Sequence, residues 1–368
     1  MFNTIVLKNN TARKGFPVYL LGTLISTLCV SLSLAYEIDS DANIHDSTAS
    51  LLGINHIGLS VQDLDATLDF YLTATNFKLV KREEVANNND ADRLFGRKGV
   101  AYERAVLEAP NMLFELTEFS HNRETPMRVM PVYGPGMTHT CFQSPAHLSG
   151  YDKFKQAGAR MLSRGDEPVD LLGQGVTYAY AYDPEGNMLE LEQLDFSVLG
   201  GDPRKPEWVD AGLDMWMTQV ALVTHDIERL TTYYSEILGF NPYRAADISN
   251  RLPFDDATDI DDVSLKVVFF RMAQRTKSME FWQYVNPETP QIQGDRDSTA
   301  LGYSYSIEVG DIQAEYARMT DLGVKFVSEP VLIGDFWQVY ANDIDGNVFA
   351  LRQAVDPNSP WSLPNLEL

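Results

Sequence analysis

One pattern returns four times along the chain, and this repeat restricts what the chain can fold into. The first copy starts at Ile54–Val61, where apolar side chains alternate with small or polar ones, as in a strand with two different faces. An amphipathic stretch that predicts a helix follows. The pattern recurs roughly every 80 residues, which indicates four copies of one supersecondary unit. The anchor positions that define copies one to four are His56, His139, Gln219 and Ser304.

The four copies also end alike. Two of the endings follow a turn of the form Asp-x-x-Gly-Asn, at Asp183–Asn187 and Asp343–Asn347, which is typical of a connection between two strands. Each copy therefore predicts a strand, a helix and then about three more strands. The closing segments are Leu113–Leu116, Leu189–Leu191, Met279–Trp282 and Phe349–Leu351.

The first 35 residues differ in composition from the rest. Residues 1–35 contain no Asp or Glu and three basic residues, and an apolar run ends in the small residues Ser33-Leu34-Ala35. This composition predicts a cleaved signal peptide and a periplasmic or secreted protein; the alternative is a membrane anchor. After cleavage the chain would keep one cysteine, Cys141, so its stability must come from core burial rather than from an internal disulfide.

Charge and local composition divide the remaining chain. The formal net charge is −23, which argues against nucleic acid or an anionic membrane as a partner. The oligomeric state stays open. The sequence predicts a flexible lead at 36–53, a domain at 54–195, a linker at 196–215, a second domain at 216–353 and a tail at 354–368.

These residues resemble the vicinal-oxygen-chelate superfamily, which includes glyoxalase I and the extradiol dioxygenases. The resemblance covers about 54–195 and 216–353, and it implies an α+β protein of four βαβββ modules paired into two glyoxalase-like curved-sheet domains, each around a cavity. The segments that carry the resemblance are His56-Ile57-Gly58-Leu59, Asp63-Leu64, Phe70-Tyr71, Asp183-Pro184-Glu185-Gly186-Asn187, Leu189-Glu190-Leu191 and Leu238-Gly239-Phe240.

The resemblance further implies that the first and last strands of each module supply metal ligands. Copies one and two then give His56, Glu115, His139 and Glu190, which resembles the ligand set of bacterial glyoxalase I. A single histidine on a strand is more often a hydrogen-bonded core residue, but four such residues at equivalent positions favour a metal site. Spacing does not choose among Fe, Mn, Ni, Co and Zn.

The second half presents a different set at the same positions. Gln219 and Glu280 remain, but Ser304 is a poor ligand and Ala350 cannot coordinate through its side chain. We therefore expect the second domain to be degenerate and to have lost its metal.

Three functions fit these candidate ligands, and each has a small-molecule substrate or ligand. The first is a glyoxalase-type lyase or isomerase, in which Glu190 or Glu115 moves a proton beside a chelated carbonyl. The second is an Fe(II) extradiol dioxygenase with a triad of His56, His139 and Glu190. The third is an exported binding protein without catalysis. For Arg104, between strands of copy one, two interpretations are open: the side chain contacts an anionic substrate, or it is a surface charge.

Overall fold

The computed structural model describes residues 36–127, 129–170, 173–199, 212–272, 277–292 and 294–366. The predicted signal peptide, 1–35, lies outside these residues, as does most of the predicted linker. Within the described ranges, no helix is both long enough and apolar enough to cross a membrane.

Copies one and two fold as a strand, a helix and then antiparallel strands, as the repeat predicts. The elements of copy one are β1 Leu51–Val61, α1 Leu64–Ala74, β2 Lys78–Val85, α2 Asn89–Leu94, β3 Tyr102–Glu108 and β4 Leu113–Phe119. The elements of copy two are β5 Gly136–His139, β6 Cys141–Pro145, α3 Gly150–Ala157, β7 Arg160–Met161, β8 Val169–Asp170, β9 Val176–Tyr182, β10 Met188–Leu194 and the closing α4 Phe196–Leu199.

Copies three and four follow the same order. The elements of copy three are β11 Trp216–Met217, β12 Gln219–Val223, α5 Ile227–Leu238, β13 Arg244–Ile248, α6 Leu252–Thr258, β14 Ser264–Arg271 and β15 Ser278–Asn286. The elements of copy four are β16 Gly302–Val309, α7 Ile312–Asp321, β17 Lys325–Phe326, β18 Val331–Ile333, β19 Phe336–Asn342, β20 Val348–Ala354 and the terminal α8 Leu363–Leu366.

An aspartate starts the main helix in three of the four copies. The carboxylate of Asp63 accepts from the backbone N–H of Ala66 at 2.9 Å, and Asp226 accepts from Arg229 at 3.0 Å. Asp311 caps α7 in the same way. Each cap satisfies backbone donors that would otherwise lack a partner, so the aspartate after the first strand fixes where the helix begins.

One sheet joins copies one and four, which lie at opposite ends of the repeat. In the nine-stranded sheet, β1 of copy one runs antiparallel to β16 of copy four, with His56 opposite Ser306 and Gly58 opposite Ser304. A Cβ atom on Gly58 would lie 2.6 Å from the Ser304 hydroxyl oxygen, so a side chain at this position would force that hydroxyl to move. The sheets therefore do not follow the predicted division into 54–195 and 216–353.

Copies two and three pair in the same antiparallel manner. Strand β5 pairs with β12, and β6 pairs with β11, so the opening strands of both copies cross over between two sheets. In each copy the closing strand runs parallel to the opening one, as β10 does to β6 and β15 to β12. The result is two paired units, one from copies one and four and one from copies two and three, and the α+β class is confirmed.

Helices hold sequence neighbours together where the sheets do not. The Tyr71 hydroxyl of α1 donates to Asp183 in the turn of copy two at 3.2 Å, and Tyr234 of α5 donates to Asp343 in the turn of copy four at 2.8 Å. Each aspartate also accepts from two backbone N–H groups of its own turn. Strand pairing and these contacts together link all four copies into a closed ring.

The predicted lead and tail pack against the body of the protein. Ala42 and Ile44 of the lead are buried, and the N–H of Asp39 donates to the carbonyl of Pro242 at 3.1 Å. The segment from Tyr36 onward, where the sequence predicts a flexible lead, thus contacts copy three. In the tail, the N–H of Leu363 donates to the buried carboxylate of Glu308 at 2.6 Å. The few apolar residues of both segments show no period, so the sequence pattern does not predict this packing.

The buried Asp343 should make stability depend on pH. Burial raises the pKa of Asp343 to about 6, although hydrogen bonds from Asn347 oppose the shift. Between about pH 4 and 6 the folded state therefore binds more protons than the unfolded state, and stability falls as pH rises. We compare the unfolding free energy of the wild type with that of Asp343→Asn at each pH. The value for the wild type minus that for the variant should fall by up to about 3 kcal/mol over this range and stay level above it. Urea unfolding at several pH values measures this; a flat or rising difference would contradict it.

Candidate functional site

The paired strands of copies two and three bring together four buried polar side chains, His139, Glu190, Gln219 and Glu280. Their exposed fractions are 3%, 3%, 4% and 9%. His139 ends β5 and Gln219 begins β12, while Glu190 and Glu280 lie on the closing strands β10 and β15. They occupy equivalent positions of the two copies, so each copy contributes one residue from its first strand and one glutamate from its last. We call this group the copy-two/three site.

Backbone pairing sets the positions of these side chains. Glu190 lies beside Cys141 in the parallel pairing of β10 and β6, and Glu280 lies beside Ala221 in the parallel pairing of β15 and β12. The Thr140 hydroxyl donates to the carbonyl of Gln219 at 2.8 Å and ties the two opening strands together. Apolar residues flank each glutamate and pack into the core, so alternation along the strand places the carboxylates on the opposite face.

The side chains of the site face one another with unmet polar atoms. His139 Nε2 lies 3.1 Å from a carboxylate oxygen of Glu190, but within the described ranges Nε2 has no aligned hydrogen bond. The amide nitrogen of Gln219 is likewise buried without a partner there. A threonine precedes each of these two residues and contacts it: the Thr138 hydroxyl lies 3.0 Å from His139 Nδ1, and the Thr218 hydroxyl donates to Gln219 Oε1 at 3.1 Å.

The two glutamates of the site repel one another. Burial, followed by the charge of Glu190, raises the pKa of Glu280 to about 8, so Glu280 holds a proton at neutral pH when no cation is present. Its Oε1 accepts from the Ser278 hydroxyl at 2.9 Å. A positive charge placed between the two carboxylates would remove this repulsion.

The other two predicted ligands lie in the paired unit of copies one and four. Arg104 donates to both carboxylate oxygens of Glu115, at 3.3 and 3.2 Å, and an Nη1 of Arg352 lies 3.0 Å from His56 Nδ1. Burial alone would raise the pKa of Glu115, but the positive charges beside it, chiefly that of Arg104, lower it to about 2. A carboxylate with so low a pKa is a weak base, so this environment disfavours Glu115 as the catalytic residue.

His56 is neutral in this environment. Burial, opposed by the charge of Glu115 and assisted by the charges of Arg352 and Arg104, lowers the pKa of His56 to about 3. Two guanidinium groups therefore stand where a metal cation would need to bind, and their charge opposes a metal at His56 and Glu115.

The four predicted ligands consequently do not converge on one point. His139 and Glu190 are in contact, whereas His56 and Glu115 belong to the other paired unit. Across the described ranges, no group of three or more His, Cys, Asp or Glu side chains stands ready to hold a metal ion. Sequence reasoning placed Gln219 and Glu280 at equivalent positions but assigned them to a degenerate half. It missed Arg352, although alternation from Ala350 puts this residue on the same face of β20.

Comparison with known proteins identifies the family. Sequence profiles described as the Glyoxalase/Bleomycin resistance protein/Dioxygenase superfamily match residues 53–191 and 218–340. The chain belongs to this superfamily, which includes enzymes. A curated relative is the ethylmalonyl-CoA/methylmalonyl-CoA epimerase of Cereibacter sphaeroides, which is 27% identical over 144 residues, covering 38% of this chain and 97% of the epimerase.

Solved structures support the same fold. Glyoxalase I from Zea mays aligns with a TM-score of 0.56 at 21% identity, over 82% of this chain and 92% of that one. A putative dioxygenase from Bacillus subtilis aligns with a TM-score of 0.52 at 13% identity, over 84% of this chain and 87% of that one. At these identities the likeness concerns the fold alone.

Proposed function

We propose that the protein is a divalent-metal-dependent lyase or isomerase of the glyoxalase type, and that its reaction takes place at the copy-two/three site. The observation that carries this proposal is the buried pair of Glu190 and Glu280 beside His139 and Gln219; His139 Nε2 and the Gln219 amide nitrogen lack hydrogen-bond partners within the described ranges. A catalytic acid or base needs a perturbed environment of this kind.

The donor set fits a divalent first-row metal. An imidazole and two carboxylates are suitable ligands, and the Gln219 amide can turn its oxygen toward the same point. Glu280 would have to leave Ser278 and lose its proton to take part. When bound, a divalent ion would supply positive charge that stabilises the oxyanion of an enediolate. The choice among Fe, Mn, Ni, Co and Zn stays open.

The chain's own residues would move the proton. A carboxylate of the site, Glu190 as predicted from the sequence, accepts a proton from the carbon beside a carbonyl, and the electron pair of the broken C–H bond moves to the carbonyl oxygen. Glu190 and Glu280 come from opposing copies, so one can remove a proton and the other can return one. Both the epimerase name of the curated relative and the glyoxalase resemblance agree with proton transfer beside a carbonyl.

The dioxygenase alternative loses its main support. Its triad needed His56 together with His139 and Glu190, but His56 contacts Arg352 in the other paired unit. The copy-two/three site offers a single imidazole, whereas the iron triad needs two. An exported binding protein without catalysis is the remaining alternative. Export itself stays a proposal that depends on residues 1–35.

Metal analysis combined with a proton-exchange assay tests the proposal. We expect about one divalent ion per chain after anaerobic purification, because one of the two paired units has a suitable donor set. In D₂O, the loaded protein should exchange the proton beside the carbonyl of a methylmalonyl thioester or of a 2-oxoaldehyde hemithioacetal, as followed by NMR. Metal binding without exchange in either compound would favour a binding protein; no metal binding would contradict the proposed site.

A further inference from the structure

The paired unit of copies one and four contains a second cleft, which the proposed reaction does not use. It is open to solvent and is lined by Lys81, Arg104, Glu115, Asp335, Phe336, Arg352 and Trp361, among others. We call it the copy-one/four cleft. It lies at the same place in its paired unit as the copy-two/three site does in the other, but its charged residues are of a different kind.

Arg352 is the unusual residue of this cleft. Its side chain is buried, with an exposed fraction of 7% for the residue, and its Nε–H has no partner among the described residues. The guanidinium lies over the ring of Phe336, 3.5 Å from the ring centroid, and Nη1 contacts the neutral His56. A buried cation that donates to a neutral imidazole and leaves another donor unused is poorly compensated.

The neighbouring carboxylates already have partners. Glu115 accepts from Arg104, which also donates to Glu83. Glu308, behind the cleft, accepts from the Asn55 amide at 2.7 Å and from the N–H of Leu363 at 2.6 Å. The positive charge of Arg352 therefore remains available to a group that enters from the cleft.

We propose that the copy-one/four cleft binds, without metal, a small organic monocarboxylate that has an apolar body. Arg352 donates to the carboxylate, and Arg104 adds a second positive charge. Phe336 and Trp361, together with Val106 and Leu113, offer apolar surface for the rest of the molecule. A single negative charge suits the cleft better than a phosphate dianion, because Glu115 and Asp335 also line it.

The position of the cleft supports this assignment. In copy four, Ser304 and Ala350 occupy the positions equivalent to the metal ligands, and neither supplies a good metal ligand. Arg104 and Arg352 supply positive charge in the cavity where the other paired unit would hold a cation. The two cavities would thus bind opposite charges: the copy-two/three site a metal cation, and the copy-one/four cleft an organic anion.

Binding of benzoate, with benzamide as its neutral counterpart, tests the proposal. Trp361 lines the cleft, so benzoate should change the tryptophan emission of the wild type, and Trp361→Phe should abolish that change. Arg352→Gln should weaken benzoate binding about tenfold or more, because a charge-assisted hydrogen bond is lost. Arg123→Gln, an exposed arginine paired with Glu118, is the matched control and should bind benzoate as the wild type does.

Separate outcomes decide the case. Equal binding of benzoate and benzamide, or wild-type benzoate affinity in Arg352→Gln, would overturn the proposal, as would the absence of benzoate binding in the wild type. Should Arg352→Gln fail to fold, the benzoate–benzamide comparison and Trp361→Phe still decide it. Binding should also persist in EDTA and in Glu280→Gln, so a failure of the proposed metal site leaves this test intact.

Discussion

Replacing Glu280 with glutamine should lower the metal affinity of the protein by about a hundredfold or more, because the change removes a charged ligand from a small donor set. His139→Ala should have an effect of similar size. The reason is that copies two and three pair, so Glu280 lies close enough to Glu190 for their charges to interact although it belongs to the other half of the sequence. Metal content after dialysis against a weak chelator, together with proton exchange by the loaded protein, measures both losses.

The matched control is Glu115→Gln, at the equivalent position of copy one. Both glutamates are buried, with exposed fractions of 6% and 9%, but Glu115 is paired with Arg104. Glu115→Gln should therefore keep the metal, even if the loss of the ion pair reduces stability. The opposite result, with metal lost in Glu115→Gln and kept in Glu280→Gln, would return the site to His56, Glu115, His139 and Glu190 as predicted from the sequence.

Replacing Phe142 with alanine should destabilise the protein by about 3–5 kcal/mol, the usual cost of emptying a fully buried aromatic position. Phe142 is 1% exposed and lies between copies one and two. Its ring stacks on Tyr71 at 5.8 Å and contacts Phe154 at 4.9 Å between centroids, so the cavity would open inside a rigid aromatic cluster. Urea unfolding of the metal-free protein measures the loss.

A second aromatic residue provides the comparison for Phe142. Phe326 is partly buried on β17, the edge strand contributed by copy four, and its ring centroid lies 4.7 Å from that of Tyr316. Phe326→Ala should cost less than half as much, because water can fill the space that is vacated. Phe142→Leu should recover part of the lost stability by refilling the volume. Equal losses of unfolding free energy in Phe142→Ala and Phe326→Ala would show that the buried aromatic cluster contributes no more to stability than a partly buried ring.

The strands and helices of each copy were predictable because they depend on local pattern. Alternation predicts a strand with one buried face at Ile54–Val61, and the aspartates at 63, 226 and 311 mark where helices begin. The turns at Asp183 and Asp343 were predictable for the same reason, because their hydrogen bonds join residues only a few positions apart in the sequence.

The pairing of the copies was not predictable from one sequence. Nothing local in β1 distinguishes β5 of copy two from β16 of copy four as its partner, because each copy presents a similar strand. The choice depends on contacts between distant residues, such as Gly58 against Ser304. As a result the residue types of the site were recognised, but their grouping into one set of four was not.

Each paired unit contains strands from both halves of the chain. The covalent connection between β10 and β11 therefore joins two halves of the same paired units. A break there would leave two fragments, each with half of the copy-two/three site and half of the copy-one/four cleft. What the covalent connection provides is effective concentration, which converts an encounter of two halves into an intramolecular event. Binding at either cavity would then depend, in a severed protein, on the amount of both fragments.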